Sequence, residues 1–371
     1  MEIDLDKIHD NAQTLVNRLA ERDISVTGVT KATLGSPEIA MAMLGAGVKT
    51  LGDSRIENIE AMRRAGIAAK MMLVRSPMPS QVERVVAHAD ISFNTELEVI
   101  KALSAEAQRS GRVHGVVLMV ELGDLREGIL PADLEATVHE TLNLPSLDLV
   151  GIGTNLACRC GVTPNTENMS ELSAIVDCLE AAFDLTFDLV TGGNSANLDW
   201  ALGGADRGDG GVGRINNLRL GEAILLGREP LQRKPIEGLH TDAIVLVAEV
   251  IESKCKPSQP TGELAQTAFG VGPPTIDRGR IGQTIFAVGR QDTDPEGLEP
   301  PPGIEILGAG SDHLITDSGL PLSCVGTEVA FQVNYSALLR AMTSPFVTRT
   351  IRKLSLSRQA ASRQTDVGRS A

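Results

Sequence analysis

Short apolar, β-branched runs recur at residues 25–31, 47–52, 69–74, 89–93, 114–122, 147–155, 188–191 and 218–226. The segments between them carry helical periodicity, with apolar positions three and four apart, as from Ile8 to Leu19 and from Leu172 to Phe183. Eight buried runs alternating with helices are the pattern of a parallel (β/α)8 TIM-type barrel. An open, doubly wound sheet has the same periodicity and stays open as the alternative.

After Gly227 the texture changes. Residues 241–252 and 282–288 read as strands, Pro and Gly crowd 257–274 and 292–303, and no strong helical pattern returns until Tyr335. The expected organisation is a barrel over 1–232, a smaller, mostly β C-terminal domain over 233–353, and a disordered Ser-, Arg- and Gln-rich tail over 354–371.

With 371 residues and 42% apolar content the chain can bury a full core. Its net charge of -14, uninterrupted by any Lys/Arg cluster, excludes a nucleic-acid footprint and points to small molecules or another subunit as partners. No apolar run approaches the roughly 20 residues that span a bilayer, so no membrane insertion is expected. The five cysteines are scattered and odd in number, and the opening Met-Glu-Ile-Asp-Leu-Asp lacks the features of a secretion signal, so a reducing, cytoplasmic setting is expected. There is one tyrosine, Tyr335, which restricts any aromatic acid–base chemistry to a single residue.

The first run ends on Lys31, in Val29-Thr30-Lys31-Ala32, and an amine at a barrel mouth is a candidate Schiff-base nucleophile. A solvated surface lysine is the ordinary alternative. Thr191-Gly192-Gly193-Asn194-Ser195 follows the seventh run, where small residues let backbone N–H groups approach an anion and Ser195 adds a hydroxyl. Such a loop is also ordinary turn chemistry, but phosphate sites of these barrels favour the loops after strands seven and eight. In Leu218-Arg219-Leu220-Gly221-Glu222, strand alternation points Arg219 and Gly221 to one face. The guanidinium would sit beside a heterocyclic nitrogen or form an ion pair inside the barrel.

Taken together, and in this order, these motifs resemble the fold-type III pyridoxal-phosphate family typified by alanine racemase, and within it the ornithine racemase branch. Further matches are Ile3-Asp4-Leu5-Asp6-Lys7-Ile8-His9-Asp10-Asn11-Ala12, the stretch from Glu121 to Gly128, Thr154-Asn155-Leu156-Ala157-Cys158, Gly289-Arg290-Gln291-Asp292 and Ser311-Asp312-His313-Leu314. The resemblance implies that Lys31 carries pyridoxal 5'-phosphate and acts as one base, and that Arg219 faces the pyridine nitrogen. It implies that Ser195, the Gly221 backbone and Tyr335 hold the phosphate, that Asn194 and Asn155 also bind the cofactor, and that Arg126 lies near the active site. An arginine at the ring nitrogen weakens the electron sink, which suits racemisation over transamination.

The chain also departs from alanine racemase. Arg290 stands at the position of the catalytic tyrosine, Asn155 at that of a ring-stacking histidine and Met119 at that of a lysine. Either another group serves as the second base, or the reaction is not a two-base racemisation. His313, beside Asp312, is the candidate, with the Cys324 thiol behind it. Alanine is not the expected substrate. A basic amino acid such as ornithine fits the branch, with Glu121, Asp124 and Glu127 as carboxylates for its side chain. A homodimer with shared active sites is implied. The alternatives are a lyase of the D-threonine aldolase or D-serine dehydratase type and a non-catalytic cofactor carrier. His313 and Cys324 are too few for the metal site that such lyases use, and Cys158 and Cys160 fall in the other domain, so no metal is expected.

Overall fold

A computed structural model describes residues 1–203, 211–270 and 276–352, so the tail expected at 354–371 lies outside the described residues. The chain divides into two compact units: one contains Leu5–His240, the other Met1–Asp4 and Thr241–Arg352.

A short strand, Glu2–Asp4 (β1), leads into helix Leu5–Ala20 (α1). Eight strands follow: Ser25–Val29 (β2), Thr50–Asp53 (β3), Lys70–Leu73 (β4), Ile91–Asn94 (β5), His114–Val120 (β6), Leu147–Thr154 (β7), Leu189–Thr191 (β8) and Asn217–Leu220 (β9). Between and after them run Pro37–Gly45 (α2), Ile56–Arg64 (α3), Val82–His88 (α4), Leu97–Ser110 (α5), Pro131–Leu142 (α6), Thr166–Phe183 (α7), Leu198–Leu202 (α8) and Glu222–Leu226 (α9). The strands pair in parallel and close into a barrel, β9 returning to β2 with Arg219 opposite Thr27. Each of the eight apolar runs holds a barrel strand, although the eighth, 218–226, is strand only as far as Leu220 and continues as α9, and the closing pair excludes the open sheet.

The strands were legible because a parallel sheet covered on both faces needs continuous apolar runs; β6 is buried along its whole length. Helix α1 buries Ile8, Ala12, Leu15 and Leu19 at spacings of three and four. Asn11 on the same helix is a polar clamp: its Nδ2 donates to the carbonyls of Ile224 at 3.0 Å and His240 at 2.9 Å, and its Oδ1 accepts from the His240 amide at 2.7 Å. The first helix is thereby fastened to α9, beside the barrel's closing strand. Met72, Ile91, Phe93, Val117 and Met119 pack together as a buried cluster.

One buried polar pair has a consequence for stability. His114, at the start of β6, is buried, with its Nε2 2.8 Å from Ser92 Oγ, and Asn94 Nδ2 donates to the same hydroxyl at 3.0 Å. Burial pushes the imidazole down to about 4 from 6.5, against the nearby Asp90 charge. Below pH 6.5 the unfolded chain takes up a proton that the folded barrel refuses, so this contribution is fully present above 6.5 and is lost as pH falls towards 4. The loss amounts to about 3 kcal/mol. His114→Gln, which keeps a hydrogen-bonding group without a charge, is expected to lose less stability on acidification. Urea midpoints of both proteins at pH 7 and 4.5 check this; parallel losses would place the acid lability elsewhere.

The other unit is mainly antiparallel. Ile244–Pro257 (β10), Arg280–Phe286 (β11), Leu298–Glu299 (β12), Glu305–Ala309 (β13), Leu314–Asp317 (β14) and Glu328–Val333 (β15) pair in the order β12-β15-β10-β11-β14-β13, with β1 joining β10 and Thr350–Arg352 (β16). Along β10 the residues Ile244, Leu246, Ala248 and Val250 alternate inward, and Phe286 meets Phe331 edge-on at 5.3 Å. Helix Tyr335–Thr343 (α10) begins where helical pattern returns, capped by Asn334 Oδ1 accepting from the Ala337 amide at 2.9 Å. The smaller, mostly β domain after the barrel is thus observed. Among the described residues no helix is long and apolar enough to cross a membrane.

Candidate active site

Lys31 stands at the C-terminal end of β2, the first residue of a single 3-10 turn, Lys31–Thr33. The preceding Thr30 holds the strand end in place, its Oγ1 donating to Asp53 Oδ2 at 2.8 Å. Burial pushes the Asp53 carboxyl up, against hydrogen bonds from Arg55, Thr30 and Asn58 and the positive field of Lys31. Glu222, at the start of α9, also lies within the field of Lys31.

Arg219 is buried on β9. Its Nη1 donates to Thr191 Oγ1 at 2.5 Å, and its Nη2 to the Thr154 carbonyl at 2.8 Å and Asn155 Oδ1 at 3.1 Å. Its guanidinium lies 5.1 Å from the centre of the Phe93 ring. Burial pushes Arg219 down to about 9, helped by the Arg126 charge, with Glu127 and Cys158 acting the other way; it therefore stays charged at neutral pH. The same Asn155 oxygen accepts from Asn194 Nδ2 at 3.3 Å, and Asn194 Nδ2 also donates to the Leu156 carbonyl at 2.8 Å. Arg219, Asn155 and Asn194 thus form one chain of hydrogen bonds across β9, β7 and the loop after β8. Asn155 Nδ2 is buried with no partner among the described residues, a donor directed at no group of the barrel.

The Gly-Gly-Asn-Ser loop is shaped by close approach. Gly193 has φ +147°, and a Cβ there would lie 2.1 Å from Asn197 Oδ1, the atom that accepts from the Asn194 amide at 3.0 Å. Asn194 in turn caps the 3-10 turn Ser195–Asn197, its Oδ1 accepting from the Ala196 amide at 2.8 Å. Ser195 is buried and its Oγ accepts from the Ala223 amide at 3.2 Å, which joins this loop to the first turn of α9. Gly221 precedes that turn, and a Cβ there would stand 3.1 Å from the Val29 carbonyl. The loop after β8, the start of α9 and the strand bearing Lys31 are drawn together by positions without side chains. Such a cradle, with an unpaired amide donor and a buried guanidinium beside it, suits an anionic, ring-bearing group.

Arg126 lies in the loop after β6. Its Nη1 is 2.8 Å from Cys158 Sγ and its Nη2 3.0 Å from Glu127 Oε1, while its Nε is buried without a partner among the described residues. The three carboxylates around it have work inside the protein. Glu121 accepts from the amides of Gly123, Leu125 and Arg126 at 2.6 to 3.0 Å. Asp124 accepts from the amides of Cys158, Arg159, Cys160 and Val162, and although burial opposes it, these bonds hold its carboxyl below the usual value. Glu127 pairs with Arg126. These residues tie the loop after β6 to the loop after β7 and leave no carboxylate of the trio clear for a substrate side chain.

In the β unit, Arg290 donates from Nη1 and Nη2 to Glu296 at 3.1 and 2.5 Å, which pulls the Glu296 carboxyl down to about 2. Its amide bonds to the Gly310 carbonyl at 3.0 Å and the Gln291 amide to that of Ser311 at 2.9 Å, so the Arg290 and His313 segments lie side by side. His313 is exposed, with Nδ1 2.9 Å from Asp312 Oδ1. Cys324 is exposed, and Tyr335 is the first residue of α10. Among the described residues no group of three or more His, Cys, Asp or Glu is placed to hold a metal. Sequence reasoning missed Thr191 and Thr154 as holders of Arg219, and Asp53 and Glu222 as neighbours of Lys31. Glu222 adjoins Gly221 in a motif already singled out, and that adjacency was the available signal.

The family model described as alanine racemase, N-terminal domain, matches residues 3–227. The chain is 39% identical over 354 residues to an ornithine racemase of Acetoanaerobium sticklandii, covering 94% of this chain and 98% of that protein. It is 38% identical over 347 residues to a lysine racemase of Thermotoga maritima, covering 93% and 96%. In structure it is similar to the alanine racemase from D-cycloserine-producing Streptomyces lavendulae, with a TM-score of 0.73 at 18% identity over 96% of this chain and 97% of that one.

Proposed function

The chain belongs to the alanine racemase family, and on that premise we propose that it is a pyridoxal-phosphate-dependent racemase interconverting the L and D forms of ornithine or a related basic amino acid. The observation that carries this reading is the buried Arg219, fixed by Thr191, Thr154 and Asn155 on the strand that pairs with that of Lys31. The basic substrate is supported by the two full-length relatives, named as racemases of ornithine and lysine.

When bound, pyridoxal phosphate supplies an electron-accepting ring that acidifies the substrate's α-proton. Lys31 would hold it through its amine and move one proton. Arg219 would face the ring nitrogen and Asn155 would offer its unpaired Nδ2 to the ring. Asn194, Ser195, the Gly221 backbone and Tyr335 would secure the phosphate. Arg126 would orient the substrate. The proton on the opposite face needs a second group, and His313, oriented by Asp312, is our candidate, supplied between the subunits of a cytoplasmic homodimer.

The test is α-proton exchange in deuterated water with cofactor-loaded protein and a panel of L-amino acids, reading enantiomer composition in the same samples. Exchange with inversion on ornithine or lysine is expected. Exchange without inversion would remove the second base, and no exchange on any substrate would overturn the racemase reading.

A further inference from the structure

Glu222 is the first residue of α9, directly after Gly221, and is half-buried. Among the described residues it accepts no hydrogen bond and makes no ion pair. Asp53, Glu121, Asp124 and Glu127, the other carboxylates placed around the barrel mouth, all have such partners. An ionised carboxylate offers about four acceptor positions, and leaving them empty in a partly buried place is unfavourable. Burial accordingly pushes Glu222 up to about 7; Arg233 and Lys31 act against this at longer range and Glu229 reinforces it. A carboxylate so placed beside a lysine at a barrel mouth is short of a cation.

We propose that Glu222 determines substrate specificity by pairing with the distal ammonium of a basic amino acid. This rests on the racemase reading of the site. The carboxylates first expected to do this, Glu121, Asp124 and Glu127, are engaged with backbone amides and Arg126, whereas Glu222 has its acceptors clear and lies within the field of Lys31. Three methylenes carry ornithine's ammonium roughly 5 Å from its α-carbon, a reach that suits a carboxylate near the residue that moves the α-proton.

The experiment compares full-length, cofactor-loaded wild type with Glu222→Gln and Glu222→Asp on L-ornithine, L-lysine and L-norvaline, the last having ornithine's chain without its ammonium. Glu222→Gln is expected to lower kcat/KM for ornithine about 100-fold and leave norvaline unchanged or improved. Glu222→Asp, one methylene shorter, should move preference from ornithine towards lysine, and it serves if the glutamine variant does not fold.

Proton release on binding, from calorimetry at pH 7 in two buffers of different ionisation enthalpy, gives a readout apart from turnover. Ornithine should release about half a proton more than norvaline from wild type, because pairing drives a carboxyl that titrates near 7 to its charged form, and the difference should vanish in Glu222→Gln. Retained ornithine preference in Glu222→Gln, or equal proton release by the two ligands, would overturn the assignment. Failure of the racemase reading would appear separately, as absence of α-exchange on every substrate in wild type, and the calorimetric comparison would still judge Glu222.

Discussion

Lys31→Ala is expected to lose racemisation by a factor of about 1000 or more, because we propose that this one residue both holds the cofactor and moves a proton. A positioned general base alone contributes on the order of 100- to 10,000-fold, and loss of covalent attachment adds to this. The fold should tolerate the change. Thr30 keeps its bond to Asp53 at 2.8 Å, and Thr33 Oγ1 keeps its bond to the Thr30 carbonyl at 2.9 Å, so the turn around position 31 survives. Removing the amine also removes a field that favours the charged forms of Asp53 and Glu222, so both carboxyls should titrate higher in the variant. Borohydride reduction of the loaded protein followed by peptide mass analysis should label Lys31 in wild type and nothing at that position in the variant. Activity within tenfold of wild type, or a label on another lysine, would end this assignment.

The parts of the molecule that were legible in the sequence are those where a local pattern is itself the physical cause. Strands such as β6, buried on every residue and apolar after His114, are covered on both faces and favour dense apolar runs, which is why the eight runs marked the eight strands. The same motif singled out Arg219, which is buried on β9, whereas Gly221, expected to share its face by strand alternation, lies past the strand's end and caps α9. What Arg219 touches was not legible, because Thr191, Thr154 and Asn155 are 28, 65 and 64 residues away and reach it only through the closed barrel.

The same gap explains the carboxylates near Arg126. Their proximity in sequence suggested a site for a basic side chain, yet Glu121 and Asp124 cap loop amides, a demand made by backbone geometry that leaves no trace in composition. Cys158 is a comparable case. It lay inside a quoted motif, while its contact with Arg126 depends on Asp124 tying two loops together.

Arg219→Met should lower racemisation by about 100-fold or more yet change stability by only about 1 kcal/mol. The first figure follows from the removal of a preorganised charge at the position proposed for the ring nitrogen, in surroundings where few other groups respond. The second follows from who remains bonded. Thr191 Oγ1 still donates to Asn217 Oδ1 at 3.0 Å, and Asn155 Oδ1 still accepts from Asn194 Nδ2 at 3.3 Å. Of the three acceptors, the Thr154 carbonyl loses most, at a cost of about 1–3 kcal/mol. Against it stands relief of a guanidinium that burial disfavours strongly enough to bring it down to about 9. The methionine chain fills much of the arginine stem's space against Phe93, so little cavity is left. Urea midpoints and racemisation rates measured on one preparation separate the two effects. A large loss of stability together with activity would make Arg219 a structural strut, whereas a stable, folded and inactive barrel is the outcome expected of a residue whose charge serves the bound cofactor.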